Sequence, residues 1–443
     1  MILSRLTPSI RSQRKHLAQS LLCCLLGLAA TPGIAAPTVE FDFDDPPDTS
    51  QVLSDAAKWG MDLHANIESR HDLDLDSRLN DRLLFIEPEF RVALSYNPPG
   101  ASWQGFVEME IAGKAVLDDP AGNESQYVDL RLRQGYLLMP DLGHGFSLQV
   151  GRQSFKDART WWYDEKMDAL RLYWRQERFG MELAAARERL LPEDLFDVDT
   201  REKNDYLILA GHYALTRKSM LNLLGVRRDD RENAKNEDPL LVGVQVNGEV
   251  GKDFRYWINA ARLSGEARGK TLRASGWDVG ATWRLDLPYR PYVALGAAWG
   301  GGDRNGRDSI DRNFRQSDIQ ENKARLFGLT RYNYYGEAFD PELSNMRIMT
   351  AVVGFQPQTD LSIDIVYHDY SQHVADDDLF DSDLDMDPDG DHRDLGRELD
   401  LVAGMRVGKD TRIKFVLGAF FPGNAFPGAD TAYVSKIELG WKF

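Results

Sequence analysis

YVSKIELGWKF, residues 433–443, closes the chain and alternates apolar with polar side chains. The odd positions carry Tyr, Ser, Ile, Leu, Trp and Phe, whereas the even positions carry Val, Lys, Glu, Gly and Lys. Because successive side chains of a strand point to opposite faces, this pattern predicts a strand with one apolar and one mostly polar face. Trp441 and Phe443 end the apolar face, where aromatic side chains suit a membrane–water interface.

The same alternation recurs along most of the chain. In one segment, an apolar face of Val128, Leu130, Leu132, Tyr136 and Leu138 opposes Asp129, Arg131 and Arg133. Segments of this kind run for roughly 9 to 14 residues, which suits strands that cross a bilayer at a tilt. We count about eighteen of them, an even number typical of bacterial outer-membrane barrels. Segments 204–214 and 345–356 are included although their alternation is poor.

The connections between these segments alternate in length. Short turns such as 97–100 and 408–410 are followed by longer polar connections such as 264–272, 300–344 and 371–396. Short periplasmic turns and long external loops are typical of membrane barrels. The sequence therefore predicts an all-β protein, a transmembrane antiparallel β-barrel of about 18 strands with both termini in the periplasm. The two longest loops are long enough to fold over or into the pore.

Closure of the barrel follows from the hydrogen bonding of the backbone. An open sheet edge in hydrocarbon leaves N–H and C=O groups without partners, at a cost of several kcal/mol each. We therefore expect strand 432–443 to pair with the first strand, near 58–68.

The N-terminal region has the features of a secretory signal. A positively charged start is followed by an apolar core from Leu21 to Ala30 and by a small-residue site, with cleavage expected after Ala35. The sequence thus divides into three predicted parts. These are a signal peptide at 1–35, a periplasmic N-terminal tail at 36–57 and an outer-membrane β-barrel at 58–443.

The cysteine positions, the net charge and the lengths of the apolar stretches exclude several classes of site and partner. Cys23 and Cys24 lie in the predicted signal, so disulfides and cysteine-ligated metals are not expected in the mature chain. The formal net charge of −17 disfavours nucleic-acid binding. No stretch of about 18 continuous apolar residues predicts a membrane-spanning helix outside the signal. Export together with the lack of cysteine in the mature chain suits a protein of the bacterial outer membrane, which is the expected location.

Several blocks of sequence carry a family resemblance. They are GRQ at 151–153, WWYD at 161–164, DALR at 168–171, YNYYGE at 332–337 and LRLRQGY at 130–136. Together they resemble the alginate-export porin family of Gram-negative bacteria, over roughly residues 55–443. The resemblance implies a barrel of the predicted size and passive export of an anionic polyuronate through a pore lined with arginines.

Six arginines are candidates for the lining of this pore. By resemblance they are Arg131, Arg133 and Arg152, with Arg331 as a looser match; Arg91 and Arg347 are added from alternation or adjacency to a motif. The guanidinium group is planar, always charged and matched to carboxylates. Each arginine could instead brace the wall by pairing with a lumen carboxylate, and Glu108 and Glu110 are suitable partners.

Arg152 departs from the alternation, because it shares parity with the apolar Val150. We expect the strand to end near Gln153, so that the arginine side chain swings into the lumen.

Trp161, Trp162 and Tyr163 form an aromatic block just before one of the predicted strands. Such rings can stack on sugars, which makes this block a candidate sugar-stacking platform. Interface aromatics or loop packing are the favoured alternatives.

Asp385, Asp387 and Asp389 alternate before Gly390, a pattern similar to a calcium-binding loop. An EF-hand counted from Asp385 would require a glutamate at position 396, where the chain has Gly396. An acidic, solvated external loop is the simpler interpretation. Calcium at this loop is the one cofactor that the sequence suggests.

The sequence therefore predicts an outer-membrane channel that exports alginate or a related polyuronate. The alternatives are a porin for uptake of small anionic or sugar-like solutes and, with less support, an outer-membrane enzyme, since no nucleophile-elbow or HExxH motif occurs. The expected partners are an anionic polysaccharide, outer-membrane lipid, the barrel-assembly machinery through the strand ending in Phe443, and a periplasmic export scaffold. We expect the protein to be a monomer and do not expect it to bind nucleic acid.

Overall fold

The computed structural model describes residues 43–443, apart from 121, 123, 191, 193, 196–203 and 231–236. The predicted signal peptide and its cleavage site lie outside the described residues. Within them the chain forms a closed antiparallel barrel of 18 strands, as the alternation predicted. No helix long and apolar enough to cross a membrane is found in the described part of the chain.

The barrel strands follow one another around the wall in chain order. They are β1 (Ala57–His71), β2 (Leu83–Tyr96), β3 (Gln104–Asp118), β4 (Tyr127–Met139), β5 (Phe146–Lys156), β6 (Asp164–Gln176), β7 (Phe179–Arg187), β8 (Asn204–Thr216), β9 (Ser219–Asp230), β10 (Asp238–Val250), β11 (Phe254–Ala267), β12 (Lys270–Arg284), β13 (Tyr292–Gly300), β14 (Met346–Gln358), β15 (Leu361–Gln372), β16 (Asp394–Val407), β17 (Thr411–Pro422) and β18 (Ala432–Lys442). Short strand pieces at Gln51–Val52, Ile310–Asp311, Lys323–Ala324 and Tyr332–Asn333 lie outside this series.

The first and last strands close the barrel. β18 pairs antiparallel with β1, from Asp62 opposite Lys442 to His71 opposite Tyr433. The predicted closure is thus confirmed. We call the end of the barrel where β1 begins and β18 ends the turn end, and the opposite end the loop end.

Large apolar side chains cover the outside of the barrel. Leu207 and Leu209 on β8 and Val293 and Leu295 on β13 are exposed, whereas the residues between them are buried or turned inward. A continuous apolar exterior of this kind is suited to lipid rather than to water.

Two segments with poor alternation and one predicted connection can be compared with the structure. Segments 204–214 and 345–356 are barrel strands β8 and β14, as predicted. The predicted long connection at 264–272 is wrong, because pairing continues to Ala267 opposite Lys270. Arg268 and Gly269 close this hairpin, both with positive φ, as a tight two-residue turn requires.

The connection between β13 and β14, residues 301–345, folds into the lumen, and we call it the internal loop. Phe314, Leu329 and Phe339 of this loop are completely buried. The internal loop reaches the turn end of β14, where the side chain of Gln356 donates a hydrogen bond to the backbone carbonyl of Phe327 in the loop. The apolar core of the protein therefore lies inside the barrel, between the wall and this loop.

Residues 43–50, which belong to the predicted periplasmic tail, lie against the inner face of the barrel wall. Phe43 is buried, and its ring lies 4.9 Å from the ring of His64 on the inner face of β1. Asp48 pairs with Lys442 at 3.3 Å, and Thr49 contacts Ser95 at 3.1 Å. We call residues 43–50 the inner tail.

Candidate functional site

Two cavities lie on the side of the lumen formed by the first strands. The cavity nearer the loop end has a volume of about 240 Å³. Among the described residues, its charged lining consists of Arg131, Arg133, Arg152, Lys166, Arg189 and Lys323 together with Asp44, Asp164, Glu165 and Glu321. We call it the basic cavity, because the cations in this lining outnumber the carboxylates.

The second cavity, of about 230 Å³, lies nearer the turn end and is lined by both signs of charge. Its cations are Lys323, Arg331, Lys414 and Lys436, and its carboxylates are Asp44, Glu68, Glu87, Glu89, Glu337 and Glu438. We call it the mixed cavity. Asp44 and Lys323 line both cavities, so the two meet at this pair.

Arg131 and Arg133 reach the basic cavity from β4 and share a carboxylate on β3. Glu110 lies 3.5 Å from Arg131 and 3.1 Å from Arg133, and Arg131 also pairs with Asp129 at 2.7 Å. Glu110 is completely buried, whereas both arginines keep part of their surface exposed. The two arginines therefore brace the wall and still present positive charge to the cavity.

The strand register explains how Arg133 reaches this position. Glu108 faces Gln134 and Met109 faces Leu132, so Arg133 is an extra residue in β4. Such a bulge reverses the faces of the residues that follow it. Tyr136 accordingly stacks on Phe106 while Leu137 is exposed, so the apolar face predicted for Tyr136 is wrong.

Arg152 bridges a seam in the wall. β4 and β5 pair only between residues 135–139 and 148–152 of the described chain, and beyond this point they separate. Arg152 donates to the carbonyl of Leu132 at 2.9 Å and pairs with Asp168 at 2.8 Å. The predicted strand end near Gln153 is wrong, since β5 continues to Lys156.

Arg91 is placed on the wall under the inner tail. It is 3% exposed, binds Asp62 at 2.8 Å and donates to the carbonyl of Phe43 at 2.7 Å. In this structure Arg91 braces β1 against β2 and holds the inner tail in place.

The last two predicted arginines are far apart. Arg331 lines the mixed cavity and donates to the carbonyl of Lys323 at 2.7 Å, within the internal loop. Arg347 shares the outward face of β14 with the exposed Met349 and approaches His373 at 3.2 Å. The structure therefore places Arg347 outside the lumen, and it leaves the set of lining residues.

Comparison with known protein families shows to which family this chain belongs. The family model described as alginate export matches residues 55–438, which covers nearly the whole barrel. The chain belongs to the alginate export family. It is therefore an outer-membrane β-barrel channel and not an enzyme.

Curated relatives and solved structures agree with this assignment. Alginate production protein AlgE of Pseudomonas aeruginosa is 24% identical over 87% of this chain and 92% of its own length. The protein of the same name from Azotobacter vinelandii is 23% identical, over 87% and 93%. The fold alone is shared with OccAB3 of Acinetobacter baumannii, with a TM-score of 0.58 at 11% identity over 87% of this chain and 99% of that one. OprD of Pseudomonas aeruginosa gives a TM-score of 0.53 at 13% identity, over 87% and 95%.

In this alginate export protein the aromatic block holds the internal loop. Trp161 and Trp162 are completely buried and Tyr163 is 4% exposed. Trp161 stacks on Phe314 with 6.1 Å between ring centroids and donates to the hydroxyl of Tyr335 at 3.1 Å. In this conformation the rings have no face open to a sugar, and they pack the loop against the wall.

The aspartates of the connection between β15 and β16 are not gathered into a metal site. Within the described residues, no group of three or more His, Cys, Asp or Glu side chains is arranged to hold a metal ion. Asp389 instead accepts from the backbone N–H groups of Asp391 and His392, both at 2.9 Å. Asp385 donates its backbone N–H to the carbonyl of Leu73 at 2.9 Å.

Three lysines in or beside the basic cavity were missed by the sequence analysis. Lys166 and Lys323 line the basic cavity, and Lys156 pairs with Asp164 at 3.4 Å beside it. Lys323 belongs to the internal loop, whose path no alternation pattern predicts. Lys156 and Lys166 flank the aromatic block in sequence, and this proximity was the available signal.

Proposed function

We propose that this protein conducts alginate or a related polyuronate passively out of the cell along the two cavities. The observation that supports this most directly is the basic cavity, where cations from β4, β5, β6 and the internal loop converge. A water-filled path lined by arginine and lysine favours an acidic polymer, since each uronate residue carries one carboxylate.

The pairing of the arginines does not remove their attraction for a polyanion. Glu110 neutralises part of the charge of Arg131 and Arg133, but Lys166, Arg189 and Lys323 add further cations to the same cavity. Charge-assisted hydrogen bonds of guanidinium or ammonium groups to carboxylates are about twice as strong as neutral ones. A polymer carboxylate therefore finds several donors at once.

We further propose that the turn end faces the periplasm and that β18 carries the assembly signal. Trp441 and Phe443 are half exposed, with ring centroids 4.3 Å apart. An accessible aromatic end on the closing strand supports recognition by the barrel-assembly machinery. A periplasmic scaffold that delivers the polymer would dock at this same end, and the protein would act as a monomer.

The export proposal is tested by single-channel recording in planar bilayers. Under a salt gradient we expect a preference for anions. We also expect polyuronate at roughly micromolar concentration to block the current, because a polymer that forms several ion pairs at once binds more tightly than a single uronate. A neutral glucan of matched length is the control polymer and should not block. A cation-preferring current without block by polyuronate would contradict the proposal and favour a general porin.

Variants locate the block within the lumen. Arg133→Ala and Lys166→Gln should each raise the half-blocking polyuronate concentration by about tenfold, because each removes one charge-assisted contact. Lys218→Gln is the matched control, since Lys218 pairs with Glu249 at the exposed turn end. Equal effects of Lys218→Gln and Lys166→Gln would show that the basic cavity is not the binding region.

A further inference from the structure

The inner tail lies where the two cavities meet. Phe43 packs against Leu329 of the internal loop, and its ring lies 4.9 Å from the ring of His64 on the wall, at an interplanar angle of 32°. Its carbonyl oxygen accepts a hydrogen bond of 2.7 Å from Arg91. The tail therefore spans the gap between wall and internal loop through which a polymer would have to pass.

Two glycines on the inner face of the wall make room for the tail. A Cβ on Gly60 would collide with the carbonyl oxygen of Asp48, and a Cβ on Gly440 would lie 2.8 Å from the ring of Phe43. Real Cβ atoms do not approach other atoms so closely. The wall is thus shaped for the tail at two separate positions, on β1 and on β18.

Asp44 places its carboxylate among the cations of the lumen. It is exposed to solvent although the barrel surrounds it, because it stands in the open space shared by both cavities. The cations that act on it are Lys323, Lys166, Lys156 and Arg133. The surrounding protein displaces part of the water around Asp44 and so raises its pKa, but these cations together lower the pKa well below its usual range. The aspartate is therefore ionised at any physiological pH.

We propose that Asp44 occupies the site that takes a uronate carboxylate of the exported polymer, so that the inner tail and the polymer compete for it. The inference rests on the proposed function, because it assigns the occupant that the tail replaces. Lys166, Lys323 and Arg133, which line the basic cavity together with Asp44, form this carboxylate subsite. A polyuronate presents the same group on a flexible acidic chain, and it enters when the inner tail is displaced.

The test uses two variants that weaken the tail in different ways. Gly60→Val expels the tail by steric conflict and leaves every cation in place, and Asp44→Asn removes the competing charge. The matched controls are Gly211→Val, where an added Cβ meets nothing within 4 Å, and Asp45→Asn, whose carboxylate lines neither cavity. Heat-modifiable mobility on gels shows that each variant is folded before it is recorded in planar bilayers.

We expect polyuronate to block Gly60→Val and Asp44→Asn at concentrations at least about tenfold lower than the wild-type channel, a difference of about 1.4 kcal/mol in binding. Gly60→Val should also conduct more. Wild-type conductance and half-blocking concentration in both variants would overturn the inference and leave the export proposal intact. A higher conductance in Gly60→Val with no block of any channel would overturn the export proposal, and with it the competition.

Discussion

Arg159 and Tyr334 join the wall connection to the internal loop: the guanidinium of Arg159 lies 4.2 Å from the centroid of the Tyr334 ring. On its other side the same group lies 4.0 Å from the ring of Trp257, and it pairs with Asp278 at 3.6 Å. One side chain from the β5–β6 connection therefore ties the internal loop to two strands on the far wall.

We expect Arg159→Ala to loosen the internal loop. A cation–π contact of a desolvated guanidinium contributes about 2 kcal/mol, and here two rings share the group. Single-channel recordings should show a larger and noisier conductance than wild type. Arg217→Ala, at an exposed turn, is the control and should not change the recording. A quiet wild-type current in Arg159→Ala would show that other contacts hold the loop.

Glu398 should be the strongest anchor of the internal loop on β16. Its carboxylate accepts the backbone N–H groups of Glu337, Ala338 and Phe339 at 2.6, 2.7 and 3.1 Å. Hydrogen bonds to a charged group contribute about 1.5–3 kcal/mol each. Glu398→Ala should therefore lower the hydrogen-exchange protection of these amides by more than about tenfold. Glu398→Gln keeps an acceptor oxygen, and protection should fall less; equal losses would argue against the carboxylate as the anchor.

Packing of the internal loop should weaken as the pH rises. Burial, together with Asp318 and Asp381, raises the pKa of Glu342 to about 7, against the opposing effects of Gln320 and Arg315. Because the pKa is higher in the folded than in the unfolded state, the stabilisation is complete below about pH 4.5 and is lost as the pH rises through about 7. Hydrogen exchange around residue 342, corrected for intrinsic rates, should therefore be faster at pH 8 than at pH 5. Glu342→Gln should remove this difference, and its persistence in that variant would assign it to another group.

The seam between β4 and β5 should be sensitive to Arg152. Arg152→Ala removes a cation from the largely buried carboxylate of Asp168, and breaking a buried pair costs about 3–5 kcal/mol. Thermal unfolding should show this loss, and Arg152→Ala/Asp168→Ala should recover part of it. Arg227→Ala is the control, because Arg227 and Asp238 form an exposed pair that contributes less than about 1 kcal/mol. Equal stability of the two single variants would show that Arg152 does not hold the seam.

Side-chain alternation was sufficient to predict the barrel because it is a local property. Lipid contacts one face of each strand, so a period of two appears in every segment and requires no knowledge of its neighbours. The segments that form β8 and β14 were included in the predicted barrel although their alternation is poor. The same rule failed at Tyr136, because a bulge at Arg133 reverses the faces to which the following side chains of β4 point. No residue type in the sequence indicates that bulge.

Arg347 illustrates a second limit of the sequence analysis. It was included because of alternation or adjacency to a motif, yet β14 begins at Met346 and turns Arg347 outward. The strand boundary decides the face, and an error of one residue in that boundary reverses it.

By itself, the sequence determined the barrel, its approximate strand number, its closure by β18 and its family, because each depends on local periodicity or on contiguous motifs. Tertiary structure alone decided what lies in the lumen. The internal loop and the inner tail bring Lys323 and Asp44 to the same point, although these residues are 279 positions apart in the chain. The contacts that hold them there follow no periodic pattern in the sequence. Long-range packing of irregular segments depends on the shape of the wall, so only the folded barrel reveals it.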